Sequence, residues 1–241
     1  MFHFFRRKKI NPLTEWPVDM HSHLVPGIDD GSKTLEESET ILNVLRQLGM
    51  SRWITTPHVF AEYYPNDSQT IKKGMDVFNQ FLRSKDEDYE ITCAAEYYYD
   101  EHLQQSVKSQ DILTFGEKYL LFETNMISEP LDLDEFVFQA GLAGYRLVMA
   151  HPERYHYLTG NFKRIEELRH KGVSMQLNML SFLGYYSPDS RKMARQLTEL
   201  GMVDFLGSDC HNMQQVTLLS EVSRDKYFLK AAELNLLNHS L

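Results

Sequence analysis

Short runs of apolar residues alternate along the chain with longer stretches in which apolar positions recur every three to four residues. Runs of the first kind are the pattern of strands, and the wider spacing is that of amphipathic helices. Val18–Leu24, Arg52–Thr56, Glu90–Tyr99, Tyr119–Thr124, Arg146–Ala150, Val173–Leu177 and Val203–Leu206 predict seven strands. Helices are predicted between them over about Leu35–Leu48, Ser68–Ser84, Glu101–Val107, Leu133–Ala143, Phe162–Lys171 and Ser190–Leu200, with a last helical region at the C-terminus. Thr34 and Glu37 have capping-box spacing at the first helix, Gly49 suits its end, and Pro57 stops the second strand. Seven strand-then-helix units argue for an α/β protein with parallel strands and crossover helices. They suit a barrel slightly smaller than the eightfold one, with an open doubly wound sheet as the alternative.

Composition narrows this picture. The 241 residues, 42% of them hydrophobic, suffice for one well-buried domain over 1–241, with residues 1–16 as an extension ahead of the first strand. A formal net charge of −9 argues against a nucleic-acid partner. The two cysteines, Cys93 and Cys210, form neither a disulfide framework nor a CxxC motif, which suits a reducing, cytoplasmic setting. The opening Met1–Lys9 is aromatic then basic and lacks the apolar core of a signal peptide. It reads as a frayed terminus, with weak contact to an acidic membrane surface through residues 1–9 as the alternative. No apolar run approaches the roughly 18 residues of a membrane span.

In barrels of this class the chemistry sits at the carboxyl ends of the strands. Here those ends carry His21 and His23, His58, Glu96, Glu123, His151, and Asp209 with His211, while Asp30 lies in the loop after the first strand. Strand six offers only Asn178. Alternate strand residues face the same way, so His21 and His23 project together with Ser22 turned aside, and Asp209 and His211 do so with Cys210 turned aside. Each element alone is weak. His58 is ordinary loop decoration, and Glu96 an ordinary edge carboxylate, when taken singly. Glu123 within Leu-Leu-Phe-Glu is harder to dismiss, because a lone carboxylate in an apolar strand is costly unless paired or metal-bound. The collective placement points to a metal cluster, and the donor set suits zinc, iron or manganese better than calcium. His3, His102, His156, His170 and His239 scatter elsewhere and read as surface residues.

Six blocks in order carry a family resemblance. They are His21-Ser-His-Leu-Val-Pro-Gly-Ile-Asp-Asp-Gly-Ser32, Thr56-Pro-His58, Ala95-Glu96-Tyr-Tyr98, Phe122-Glu123, Ala150-His-Pro-Glu-Arg-Tyr155 and Gly207-Ser-Asp-Cys-His-Asn212. Over about residues 17–212 the chain resembles the PHP (polymerase and histidinol phosphatase) superfamily. More closely, it is similar to the bacterial protein-tyrosine phosphatases tied to capsule and exopolysaccharide synthesis. The resemblance implies a distorted seven-stranded, TIM-like barrel with three metal ions. It implies His21, His23, Glu96 and Asp209 on one ion, Glu96 bridging to a second completed by Glu123 and His151, and Asp30, His58 and His211 on the third. Arg154 matches an arginine expected to grip the substrate phosphate, for which a forked guanidinium is suited. One departure stands out. Family members usually carry another arginine soon after the Asp-x-His block, and Met213–Leu218 contains none; Gln214 or Gln215 is left to supply a neutral hydrogen bond.

The implied reaction is phosphomonoester hydrolysis on a tyrosine autokinase. The phenolic leaving group, with a pKa of about 10, needs little protonation. His58 or His211, if not fully committed to metal, is placed to supply it, with Asp30 a weaker candidate. Cysteine-based phosphatase chemistry is excluded, since position 99, six after Cys93, is Tyr and position 216, six after Cys210, is Val. No Gly-x-Ser-x-Gly elbow or P-loop occurs. The rival readings are a small-molecule phosphatase of the histidinol-phosphate type on the same scaffold, and a metal-free scaffold that binds a partner. The Asp29–Ser32 loop and the Thr-Pro-His block favour the protein phosphatase by resemblance, and Tyr97–Tyr99 beside Glu96 are candidates for peptide recognition.

Overall fold

The expected alternation is present in the computed structural model, which describes residues 18–241 apart from positions 86 and 88. The extension 1–16, the basic segment 1–9 and His3 therefore lie outside the described residues. The strands are β1 (Val18–Asp19), β2 (Arg52–Thr55), β3 (His58–Val59), β4 (Glu90–Cys93), β5 (Glu96–Tyr98), β6 (Tyr119–Glu123), β7 (Arg146–Ala150), β8 (Ser174–Asn178) and β9 (Phe205–Gly207). The α-helices are α1 (Leu35–Gln47), α2 (Ser68–Ser84), α3 (Glu101–Ser109), α4 (Leu133–Leu142), α5 (Phe162–His170), α6 (Pro188–Glu199), α7 (Met213–Val222) and α8 (Lys226–Ala232). The protein is thus an α/β fold, and every strand pairing is parallel.

Among the described residues nine short strands replace the predicted seven, in a three-stranded sheet β1-β2-β4 and a six-stranded sheet β3-β5-β6-β7-β8-β9. Local chemistry accounts for the difference. Pro57 has no N–H to give, and the second predicted strand ends before it as β2, with the Thr56 N–H on Ser22 O (2.7 Å); a further short strand, β3, not predicted, follows the proline. The third predicted strand splits at Ala94-Ala95 into β4 and β5, although Ala94 N–H still bonds Thr55 O (2.8 Å) and Glu96 N–H still bonds Pro57 O (3.1 Å). The first predicted strand shrinks to β1. The Asp19 side chain there accepts from the backbone N–H of Ser208 (2.9 Å) and that of His21 (3.5 Å), competing with a regular ladder. The first and last strands nonetheless meet through a parallel bridge, Ser22 opposite Cys210, with His23 N–H on Cys210 O at 2.9 Å.

The starts of α1 and α2 are held by side-chain caps. Thr34 accepts from Glu37 N–H, and Glu37 returns to accept from Lys33 N–H, one residue outside the usual box. Asp67 caps α2 by accepting from Thr70 N–H.

Period-two alternation divides the strands between two cores. Leu120, Phe122, Leu147 and Met149 face the helices, where they join Ile41, Phe78, Phe136 and Leu168. Their neighbours Leu121, Val148 and Ala150 face inward and meet Val18, Met20, Ile54, Phe115 and Phe205. Fully burying a side chain of this size is worth about 1.5–3 kcal/mol, so the two clusters fix which face of each strand points inward. That choice positions the site. No described helix is long and apolar enough to cross a membrane.

Candidate active site

The inward face turns abruptly polar at the carboxyl ends of the strands. Ligand atoms of His21, His23, Glu96 and Asp209 all lie within 4.8 Å of one another. A second such group joins His23, Asp30, His58 and His211, and a third joins His58, Glu96 and Glu123. His151 Nε2 lies 2.9 Å from Glu96 Oε1 and 3.7 Å from Glu123 Oε2. All nine residues singled out in the sequence are therefore brought into one cluster. The grouping differs in two details: His23 and His58 each belong to two groups, and His151 touches the Glu96–Glu123 pair without joining a mutual set. His102, His156, His170 and His239 are exposed and remote from it.

The alternation argument holds for both X-x-X pairs. His21 and His23 face each other at 3.4 Å between Nε2 atoms, while Ser22 turns to its bridge with Cys210. His211 stays on the side of Asp209, and Cys210 is buried in the outer core. His151 (φ 36°) and Asp209 (φ 50°) hold left-handed backbone, which is uncommon for residues with a side chain and concentrates at functional sites.

Imidazole orientation is set from behind the cluster. Nδ1 of His21 donates to Gln176 Oε1 (2.9 Å), Nδ1 of His23 to Asp29 Oδ2 (2.8 Å) and Nδ1 of His211 to Asp209 O (2.9 Å). In the neutral ring, donation at Nδ1 leaves Nε2 as the lone-pair nitrogen, aimed at the cluster, as for ligating histidines supported by outer acceptors. Asp209 Oδ2 accepts from Asn178 Nδ2 (2.5 Å), Tyr186 OH (3.2 Å) and Arg154 Nη1 (3.2 Å). Its Oδ1 is thereby left 3.4 Å from Nε2 of both His21 and His23.

The buried acids and imidazoles shift one another's ionisation strongly. Burial, reinforced by the charge of Glu96, pushes the Glu123 carboxyl well above its usual range. Burial opposes ionisation of Glu96 and of Asp209 too, but the adjoining imidazoles, His21 foremost, hold both well below the usual range. Burial, with the Arg154 charge, lowers His151 to about 4. Nδ1 atoms of His58 and His151 are buried with no hydrogen-bond partner. His58 Nδ1 lies 3.3 Å from Glu96 Oε2 and 3.4 Å from Glu123 Oε1, close but not aligned for a hydrogen bond. Buried carboxylates crowded against imidazole nitrogens are what a divalent cation satisfies, and the donor set is imidazole and carboxylate. The residues present fit bound metal.

The cluster floors a cavity of about 500 Å³. Arg154, on the short 3-10 helix Pro152–Arg154, lines it with its guanidinium 4.4 Å from the Tyr186 ring. An aromatic wall stands opposite, built on a turn in which Phe60 and Tyr64 exchange both backbone hydrogen bonds (2.9 and 2.8 Å). Phe60 stacks on Tyr98 at 3.9 Å, Tyr64 stacks on His58 at 5.4 Å, and Tyr63 at the tip is 65% exposed. Of the tyrosines 97–99, only Tyr98 reaches the cavity. Tyr97 is buried with its hydroxyl accepting from Leu113 N–H, and the Tyr99 hydroxyl accepts from Gln104. Sequence reasoning missed Asp29, Gln176 and the Phe60–Tyr64 wall.

Histidines and carboxylates gathered from all around a parallel-stranded α/β fold, beneath a cavity with one buried-side arginine, define a metal-dependent hydrolase. The chain belongs to the family described as capsular polysaccharide synthesis, CpsB/CapC, which it matches over residues 17–219. It is 25% identical to tyrosine-protein phosphatase YwqE of Bacillus subtilis, over 82% of this chain and 78% of that one. It is 28% identical to tyrosine-protein phosphatase CpsB of Streptococcus agalactiae serotype V, over 81% of this chain and 83% of that one. Among solved structures, a chain from the crystal structures of YwqE from Bacillus subtilis and CpsB from Streptococcus pneumoniae, described as unique metal-dependent tyrosine phosphatases, matches with a TM-score of 0.80. Its identity is 25%, covering 93% of this chain and 90% of that chain. The resemblance carried by the sequence motifs is thereby borne out.

Proposed function

We propose that this protein is a metal-dependent protein-tyrosine phosphatase, acting in the cytoplasm on a bacterial tyrosine autokinase that controls capsular or exopolysaccharide synthesis. The observation that carries the reading is the juxtaposition of the nine-residue cluster with Arg154 and an aromatic wall across one cavity. Family membership and the tyrosine-phosphatase relatives support the same substrate.

Three metal ions, manganese, iron or zinc, would be held by His21, His23, Asp30, His58, Glu96, Glu123, His151, Asp209 and His211, divided as the resemblance implies. Bound there, cations supply Lewis-acid charge at the phosphoryl oxygens and acidify an attacking water. The chain's own residues do the rest. Arg154 is braced by Asp209 and Tyr186, so its fork is held in place to bind phosphoryl oxygens. The wall of Phe60, Tyr63 and Tyr98 receives an aromatic leaving group, with offset or edge contacts favoured. His58 and His211 stand at the cavity side of the cluster, 13% and 14% exposed, where either, when not committed to a metal ion, can protonate the departing phenolate. The finer architecture is a distorted seven-stranded barrel. Hydrogen bonds that continue across the breaks at Pro57 and Ala94-Ala95 support it, as does the Ser22–Cys210 bridge that joins first strand to last.

The test is to purify the protein, measure its bound metals, and compare turnover of a phosphotyrosine peptide with that of histidinol phosphate. Metal-activated hydrolysis of the peptide is the expected result. Efficient turnover of histidinol phosphate with none of the peptide would overturn the substrate. A metal-free protein that no added metal activates would overturn the mechanism.

A further inference from the structure

A phosphoryl group presents three terminal oxygens, and among the described residues lining the cavity Arg154 is the only arginine or lysine. Part of that guanidinium is already committed to Asp209. The cavity wall beside His211 carries a different kind of donor. There Asn212 caps α7, its Oδ1 accepting from the Gln215 N–H at 3.1 Å. The Gln215 side chain folds back, so that Oε1 accepts from the His211 N–H at 2.6 Å. A backbone N–H can only donate, so this bond fixes the amide: the oxygen is the held end and Nε2 the free end. Gln215 is only 6% exposed and lines the cavity. Its Nε2 has no partner among the described residues, yet it is absent from the buried polar atoms sealed without one, so it opens on the cavity space. Gln214, the neighbouring candidate, is exposed and does not line the cavity.

We propose that the Gln215 side-chain amide is a neutral ligand to a phosphoryl oxygen, sharing with Arg154 the task of holding the phosphate group. The inference rests on the phosphatase reading above. It follows that phosphate is gripped in this protein by one cationic fork and one uncharged amide at the start of α7, where the helix's own partial positive charge adds to the attraction. A neutral donor to a charged oxygen binds less tightly than a second guanidinium would, so inorganic phosphate should leave readily after hydrolysis.

The test uses the full, metal-loaded chain, with inorganic phosphate as a competitive inhibitor and a phosphotyrosine peptide as substrate. Gln215→Glu keeps the acceptor for the His211 N–H and replaces the donor with an oxygen. Gln215→Met removes donor and acceptor without adding charge. Metal content and melting temperature are measured for each. Gln215→Glu is expected to weaken phosphate inhibition at least about tenfold and to raise KM for the peptide in parallel. Gln215→Met is expected to weaken both by a smaller factor, of a few fold. If Gln215→Glu loses metal or folding, Gln215→Met decides alone. Wild-type phosphate inhibition in the metal-loaded variant overturns the inference while leaving the phosphatase reading standing. A wild-type enzyme inactive on every phosphomonoester overturns that reading instead.

Discussion

Leu121 and Glu123 lie two residues apart on the inward face of one strand, yet they belong to opposite regimes. Leu121 is fully buried in an apolar cluster with Val148, Ala150 and Phe205. Glu123 is 8% exposed among imidazoles and carboxylates. One step along the strand turns the interior from a region that stabilises the fold into one that works against it. Packing at the apolar end lowers the free energy of the folded chain, whereas each buried charge at the other end raises it until a partner or a cation compensates. The lesson is a division of labour within a single interior. Stability and function should be separable by substitutions only one or two residues apart.

The largest effect expected from breaking that division is His151→Ala. It removes an imidazole whose buried Nδ1 has no hydrogen-bond partner and whose Nε2 faces Glu96 and Glu123. Turnover should fall by about a thousandfold or more, as when a group at a reacting centre is lost, with the cooperative melting transition kept. Loss of the folded state instead would show that the site is structural and that the two ends are not separable. The complementary change is Leu121→Ala. A cavity at a completely buried inward position should cost about 2–5 kcal/mol in denaturant unfolding. Well below its melting temperature the variant should keep metal content and most of its turnover. A selective loss of metal without loss of stability would contradict the contrast.

How much of this was legible in the sequence also differs between the two ends. The strands of the apolar end were readable because runs such as Leu120–Leu121–Phe122 are continuously apolar, as a strand covered on both faces requires; which residue enters which core was shown by the fold. The nine cluster residues were readable because imidazoles and carboxylates gather at strand ends, where an α/β fold converges. Strand continuity was not. Pro57 interrupts a ladder whose direction does not change, and the Asp19 carboxylate captures backbone N–H groups that a regular strand would use. The supporting shell was not readable either. Asp29 and Asp30 are adjacent and chemically alike, and only the loop's path puts Asp29 behind His23 while Asp30 faces His58 and His211. Gln176 did carry a signal, a polar residue two positions before Asn178 in Met-Gln-Leu-Asn, but its partner His21 is 155 residues away. The Phe60–Tyr64 wall resembles any aromatic loop until its turn is closed by two hydrogen bonds.

Asp29 sharpens the comparison from the supporting side. Its Oδ2 accepts from His23 Nδ1 and from the His58 backbone N–H (3.0 Å), so it orients one histidine and the backbone of another. Burial would raise this carboxyl, but the His23 charge and hydrogen bond hold it far below its usual range, so it is ionised in the folded chain. Asp29→Asn keeps the shape and loses the charge. Metal affinity or turnover should drop by about 10- to 100-fold, the range for outer partners of ligating histidines, with stability little altered. An effect as large as that of His151→Ala would place Asp29 among the ligands.

The smallest effect is expected farthest from the charges. Tyr63 is the most exposed member of the aromatic wall and packs on Phe60, at 5.0 Å between ring centroids. Deleting it removes no metal support and little packing, so neither stability nor metal content should change. What it offers is a face for a substrate ring, worth about 0.5–1.5 kcal/mol for an aromatic pair. Tyr63→Ala should therefore raise KM for a phosphotyrosine peptide by a few fold up to about tenfold. KM for a small alkyl phosphate, which brings no ring to the wall, should stay where it is. Equal losses on both substrates would mean that Tyr63 shapes the cavity and does not read the leaving group. Selectivity would then have to come from the phosphate end of the site alone.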